Sequence, residues 1–598
     1  MKRRDRLAVS ALALMLAIVG AAMFVPTPAP FPSPTPAAPT AAPAVTYREG
    51  VVGHPVSINP LTASTQVDRD LVALLFRGLV RAGPNGTLLP DLARSWAVSS
   101  DGLTYTFTMR SNARWEDGQP VTAADVVFTV NLAQDPDYDG PLGGSWDGIT
   151  ATAVSTDVVR FTLPTPLGGF LRQTSLPILP QHLLAQTDVT DLATSDFSGQ
   201  PIGDGPYRIA EMDDTHVLLT RVADVPAASD GAPSGATGGA SNGPPAPATA
   251  ASATASAAAL ATATATAEGT TAAATPAPEG NVDSIELVFF DSEAAAVASF
   301  KAGDIDAIGD LTPTLTEAAA TRTGSRVARY QSASMYSVVL NQRPAAHPEF
   351  GKLSVRQGLL AAIDRVSILK SALGGLGTVA DVPLPSWSPY YQQASVSVAG
   401  YNLAGAQADL VAAGWARAGS GWTLPGASSP YALKLMSPNE TTNPVAYDIA
   451  VQVVAAWKSL GIDVSVQTFD AADYTQNLTA GTFDAAVVDY QLGLDPDVSP
   501  LLLSSQAAPA GSNLSAVADT SLDQLLTAAR TTSDPATRQT AISAVEKYVS
   551  TNVLMLPLCF ADYEFVLSDR VQGVSTNEIP DPSDRYWDVL DWRLASDG

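Results

Sequence analysis

Residues 431–490 carry the pattern that most narrows the folds open to this chain. "YALKLMS" (431–437) reads as a strand, and "NPVAYDIAVQVVAAWKSL" spaces its apolar residues as a helix does, stopping at Gly461. "IDVSVQTF" reads as a strand, "DAADYTQNLTAG" as a short helix and "FDAAVVDY" as a further strand. An order of strand, helix, strand, helix, strand predicts a parallel sheet covered on both faces. A second unit of this kind stands earlier in the chain: strand "IELVFF", helix "DSEAAAVASFKAG", strand "DIDAIGD". A helix-rich piece, "SVRQGLLAAIDRVSILKSAL", divides the two, so two separate α/β regions are expected. At 598 residues the chain is too long for one compact core.

Two segments are set aside from the fold. Residues 226–280 contain almost no large apolar residues, so they bury too little surface to offset their ordering entropy and read as a disordered insertion. Residues 26–44 alternate proline with small residues and read as a stiff spacer or as a tail left by processing. Ahead of them "MKRRDR" precedes an uncharged apolar run at 7–25. That run approaches the ~20 residues of a membrane span and exceeds the ~7–15 of a signal-peptide core. It reads as an uncleaved anchor in preference to a cleaved signal. The cluster Lys2, Arg3, Arg4 and Arg6 stays cytoplasmic, which places the rest of the chain outside the membrane. No cysteine closes the apolar run, which excludes a lipoprotein anchor.

The formal net charge of −26 argues against nucleic acid and anionic membrane surfaces as partners and can draw in cationic ligands. One cysteine, Cys559, excludes intrachain disulfides and cysteine-cluster metal sites; it lies in an apolar run and reads as a buried, inert thiol. The four histidines are scattered, with no HxxxH or HxH pair, and no metal or cofactor is expected. No GxGxxG, GxxxxGK[ST] or GxSxG element precedes any helix of the parallel unit. Ligands of open parallel sheets bind beyond the carboxyl ends of the strands. Those ends are "SPNETTN" (437–443), "FDAAD" (469–473) and "DYQLGLDPD" (489–497).

One stretch raises the question of catalysis. "ARWEDGQPVTAADVVFTVN" (113–131) gathers Glu116, Asp117 and Asp125 around a Trp-Glu-Asp-Gly turn. Thr122 stands where an N-cap belongs and Asp125 follows three residues on, as in a capping box. Asp117 fits a turn closed by Gly118. Each acid therefore has a local structural role. Just before it, "SWAVSSDGLTYTFTMR" forms a hairpin around Asp101-Gly102.

Residues 87–131, "TLLPDLARSWAVSSDGLTYTFTMRSNARWEDGQPVTAADVVFTVN", resemble the signature of the extracellular solute-binding proteins of family 5, the dipeptide, oligopeptide and nickel receptors of ABC importers. "PIGDGPYRI" (201–209), "FKAGDIDA" (300–307), "VVLNQRPAAHPEF" (338–350), "VRQGLLAAIDR" (355–365) and "LSSQ" (503–506) fit the same pattern in order. The resemblance spans about residues 47–595. It implies an α/β, two-lobed periplasmic-binding-protein type II clamshell with an additional small domain and discontinuous lobes. Lobe I would comprise 45–75, 201–225, 281–340 and 551–598, lobe II 341–550, and the small domain 76–200. The chain would cross between lobes near "YSVVLN" and again near "LMLPLCF", with Tyr336 and Asn341 in a hinge or bracing role.

The resemblance also implies the binding residues. Peptide-binding members hold the ligand's amino terminus with an aspartate in the loop matching "DYQLGLDPD", which nominates Tyr490 and Asp495, with Asp489 as the rival carboxylate. Asp495 could instead open a turn before Pro496. "NPLTASTQVD" (59–68) nominates Ser64, Thr65 and Gln66, and "PLPSWSPYY" (383–391) nominates Tyr390 and Trp387, as a flat wall or a packed lobe residue. Asn439 lies in the first of the strand-end loops. The function implied is a receptor that captures a peptide or similar small solute and delivers it to ABC permease subunits and their ATPases, with no catalytic residues. The alternatives are a tethered sensor or surface protein on the same scaffold, and a carboxylate-dependent hydrolase.

Overall fold

The computed structural model describes residues 45–83, 87–142, 144–222, 278–398, 400–493, 495–532 and 534–595. The apolar run at 7–25, the spacer at 26–44 and residues 226–277 of the low-complexity segment lie outside them. Among the described residues no helix is long and apolar enough to cross a membrane. Strand Pro278–Asn281 pairs antiparallel with Arg593–Ala595, so residues 278–280 of that segment lie in the fold.

The 431–490 pattern folds as its periodicities require. Ala432–Pro438 runs parallel to both Asp463–Phe469 and Ala485–Gln491. The helix between the first two, Pro444–Leu460, starts at Asn443, whose side chain accepts from the Ala446 N–H, with Pro444 in the first turn. It ends at Gly461, whose φ of 98° is the left-handed conformation that releases a chain from a helix. Its buried face, Ala446, Ile449, Val453, Trp457 and Leu460, follows helical spacing, and each large side chain there contributes about 1.5–3 kcal/mol by leaving water. The Trp457 indole N–H donates to the Leu359 carbonyl at 3.0 Å, so a large apolar body is buried without an orphaned polar atom.

The second unit is built alike. Thr46–Val52 runs parallel to Ser284–Phe290 and Ala307–Gly309, and His216–Arg221 and Tyr207–Met212 extend it antiparallel. Two long strands, Ser325–Leu340 and Leu556–Ser568, join the halves. Ser325–Gln331 pairs with Asp562–Ser568, and the same strand then pairs through Ser334–Leu340 with Ala485–Gln491. The result is one eleven-stranded order in which each half keeps its own parallel strands and the two long strands belong to both. Register shifts between Gln331 and Met335 and again between Tyr336 and Ser337, so the ladder breaks where the strand leaves one half for the other.

A four-stranded antiparallel sheet, Ala93–Val98, Thr104–Met109, Val158–Thr162 and Thr150–Ser155, stands apart from the large one. Tyr105, Phe107 and Met109 point inward and the intervening threonines outward, as the hairpin's alternation predicts. Its apolar core is continuous with that of the half around Tyr47, Leu71 and Trp592. The other half holds separate cores around Trp457 and Val338 and around Leu522 and Phe560. Cys559 is fully buried and burial pushes its thiol up to about 12, which leaves it inert.

Candidate functional site

Where the two long strands pass between the halves, a cleft of about 260 Å³ opens. Its floor is the broken ladder: Ser332, Ser334 and Tyr336 from one crossing strand, Ala561 to Glu564 from the other. One wall comes from the Thr46 half, through Gln66, Arg69, Asp310 and Leu311; the opposite wall comes from Leu373, Leu376, Val445, Asp489 and Gln491. A cleft lined by both halves and floored by the strands that join them changes shape whenever the halves rotate.

The Gln66 side of the cleft is braced from within. Thr65 caps the helix Gln66–Leu75 in a full capping box with Asp68. The Gln66 amide N–H donates to Asp70 Oδ1 at 2.8 Å and its carbonyl accepts from Arg69 Nη2 at 2.7 Å. Asp70 is held by the Arg585 guanidinium at 2.6 and 2.8 Å, and Arg585 also bonds Glu49 at 2.6 Å. Tyr47 and Tyr586 hydroxyls donate to the other Glu49 oxygen at 2.7 and 2.9 Å. All five side chains are buried. One fully enclosed cation, two carboxylates and two phenols thus fix the orientation of a residue on the cleft wall.

On the opposite side Asp489 accepts from the Ser334 hydroxyl at 2.8 Å. Its carboxylate still meets water through the open cleft, yet the surrounding protein pushes it above the usual carboxylate range, with the Ser334 and Tyr336 hydroxyls pulling the other way. Asp310 takes a left-handed backbone at φ 56° at the end of strand Ala307–Gly309. Asp310 is exposed at the cleft, yet the surrounding protein, then the nearby Asp70 and Glu293 carboxylates, push it up to about 6. Arg69 is already engaged, by Asp581 at 3.0 Å and by the Ser64 carbonyl at 3.0 Å.

Comparison with known proteins decides the family. The profile of the bacterial extracellular solute-binding proteins, family 5, matches residues 87–512, well over half of the chain. The chain belongs to that family. It is 26% identical over 536 residues to Protein XP55 of Streptomyces lividans, covering 88% of this chain and 85% of that protein. It is 23% identical over 554 residues to the oligopeptide-binding protein AppA of Bacillus subtilis, covering 91% of each. The structure of AppA in complex with a nonapeptide matches at a TM-score of 0.72 and 22% identity, covering 93% of this chain and all of that one. NikZ of Campylobacter jejuni, solved with Ni(L-His), matches at 0.72 and 22%, covering 92% of this chain and all of that one. The fold is accordingly the two-lobed type II binding-protein architecture expected from the resemblance.

Within this solute-binding protein, Gln66 lines the cleft, and the other seven nominated residues are not among its lining. Thr65 spends its hydroxyl on the helix cap and Ser64 is an exposed neighbour. Tyr390 is packed in the core around Leu522 and Phe560, under the Arg538 guanidinium at 5.4 Å. Trp387 is half-buried in the loop before it. Asn439 accepts from the Thr442 N–H at 2.8 Å and closes a turn. Tyr490 packs between two apolar clusters of its half. Asp495 is bonded by Arg538 Nη2 at 2.7 and 2.9 Å and also accepts from the Asp497 N–H at 3.0 Å. Of the two rival carboxylates, Asp489 is the one on the cleft.

Tyr336, assigned by sequence to a hinge or brace, also lines the cleft. Asp310, Asp562 and Glu564 were not singled out at all; they come from segments 235 and more positions beyond the end of the Gln66–Leu75 helix and carry no motif of their own.

The three acids of the 113–131 stretch are accounted for by structure. Asp125 closes the capping box with Thr122 and its other oxygen accepts from the Gln181 N–H at 2.9 Å. Asp117 accepts from the Gln119 N–H at 2.9 Å and pairs with His182 at 2.7 Å. Glu116 accepts from the Gly203 N–H at 3.0 Å, and burial raises it to about 7. None of the three lines the cleft.

Proposed function

We propose that this solute-binding protein captures an oligopeptide in the cleft between its halves and delivers it, unchanged, to the permease subunits of an ABC importer. The observation that carries the reading is the cleft itself, walled by both halves and floored by the strands that join them. Closing the halves would enclose a guest and give the permease a surface absent from the open form. The relatives support the peptide: AppA of Bacillus subtilis is named an oligopeptide-binding protein and its structure holds a nonapeptide. Several Brucella relatives are named putative ABC transporter peptide-binding proteins.

In this reading Asp489 receives the peptide's amino terminus, since its carboxylate faces the cleft and its side-chain partners, Ser334 and Tyr336, are uncharged hydroxyls. Gln66, held by Asp70, presents the opposite polar wall. The segment 7–25 tethers the protein outside the membrane, and the chain carries out no chemical step of its own. Native mass spectrometry of gently purified protein tests the reading. A set of co-purified peptides is the expected result; a retained sugar or metal chelate, or a peptide recovered cleaved, contradicts it.

A further inference from the structure

The charges lining the cleft are unequal. Asp310, Asp489, Asp562 and Glu564 stand against one guanidinium, Arg69. Arg69 is spent on Asp581 and the Ser64 carbonyl, and Glu564 is matched by Arg329 at 2.9 Å. That leaves Asp310, Asp489 and Asp562 with no cation within ion-pair distance among the described residues. A carboxylate drawn away from water without a counter-charge is costly, and closure of the cleft would raise that cost unless the guest supplied the charge.

The carboxylates are spread apart. Asp489 lies opposite Tyr336, and Asp562 opposite Gln331 on the far side of that same strand. Two strand spacings, about 10 Å, therefore separate their backbones before any displacement along the strands is added. Asp310 follows Gly309, whose partner Phe565 lies on the strand of Asp562, one spacing further on. No group of three His, Cys, Asp or Glu among the described residues could hold a metal ion. A row of separated anions suits separated positive groups, and the aliphatic walls at Leu311, Leu373, Leu376 and Val445 suit the methylene stems between them.

We propose that the cleft selects solutes bearing two or more positive groups held apart on an extended frame, and that the class it takes is the basic oligopeptide with a free amino terminus. The proposal rests on the peptide-receptor reading above and adds the charge of the guest. The formal net charge of −26 works in the same direction by drawing cations toward the protein.

Calorimetry on the full-length chain in detergent tests it with three probes: tetra-alanine, Lys-Ala-Ala-Lys and spermidine. The lysine peptide is expected to bind about tenfold or more tighter than tetra-alanine. That advantage should fall by at least half on a logarithmic scale in Asp562→Asn and in Asp489→Asn, with Asp310→Asn as the substitute for either variant that loses its melting transition. Equal affinity for the two peptides, or an advantage that survives the substitutions, overturns the charge selection and leaves the peptide reading intact. Binding of spermidine with no binding of either peptide overturns the peptide reading and retains the charge selection. Failure of all three probes overturns both.

Discussion

His347 sits between two carboxylates, with Nδ1 3.0 Å from Glu349 and Nε2 3.2 Å from Asp484. Burial works against its charged form, but the bonds to Asp484 and Glu349 outweigh it and push the imidazole up to about 9. The folded state therefore holds this proton more tightly than the unfolded chain does, so the stabilisation is fully present below the ordinary imidazole value and is lost as pH rises through about 9. Glu349 and Asp484 are held below the usual carboxylate range, so their share disappears as pH falls through that range. His347→Gln is expected to lose on the order of 2–3 kcal/mol at pH 6 and far less at pH 10, read from urea unfolding at the two pH values. A pH-independent loss would contradict the triad. Arg585 makes the sharper case: Arg585→Met strands Glu49 and Asp70 in the core, and a loss of about 3–5 kcal/mol is expected from the same measurement. Neither site shows in the sequence. The partners of His347 lie 2 and 137 positions away, and those of Arg585 lie 515 and 536 away. Spacing along a chain carries no information about such encounters.

Elements were far more legible, because a helix or strand writes its own period into its own residues. The helix Pro444–Leu460 and its stop at Gly461 follow from the caps and the apolar spacing alone, as does the hairpin around Gly102. Contacts between elements were not legible. The loop at Gly168–Gly169 meets the other half: the Gly168 N–H donates to the Arg530 carbonyl at 2.9 Å, and Gly169 lies directly against the Asp495 carboxylate that Arg538 holds. Sequence reading nominated Asp495 for the ligand, with a turn before Pro496 as the alternative and Asp489 as the rival; in the structure it accepts from the Asp497 N–H and is bonded by Arg538, a buried arginine 43 positions later. A side chain at Gly169 would drive into Asp495. Gly169→Val is expected to open the joint, costing about 1–3 kcal/mol and exposing residues 165–169 to limited proteolysis. An unchanged cleavage pattern would show that the contact holds nothing. In the 123–133 helix, Asp125→Ala removes the reciprocal half of the capping box and the Gln181 bond, and a loss of about 1–2 kcal/mol is expected by thermal unfolding with ligand affinity unaltered. A fall in affinity without a fall in stability would reopen the catalytic question for that stretch.

At the scale of the molecule, two parallel half-sheets, the strands shared between them and the family could all be read from ordered blocks of sequence. The cleft could not, apart from Gln66, the rival carboxylate Asp489 and the crossing-strand Tyr336, because its lining is drawn from the ends of segments as distant as 66 and 582 that meet only after folding. Apart from Gln66, most residues nominated by motif serve caps, turns, apolar packing and the joint between the halves; the floor is made of plain strand residues whose importance lies in where the ladder breaks. The central claim is that a guest sits on that break. Hydrogen exchange followed by mass spectrometry, with and without a saturating peptide, tests it directly. Slowed exchange confined to residues 332–336, 487–491 and 561–564, with the peptide recovered at its original mass, is the predicted result. Slowed exchange elsewhere with none on these strands, or a peptide of altered mass, would contradict it.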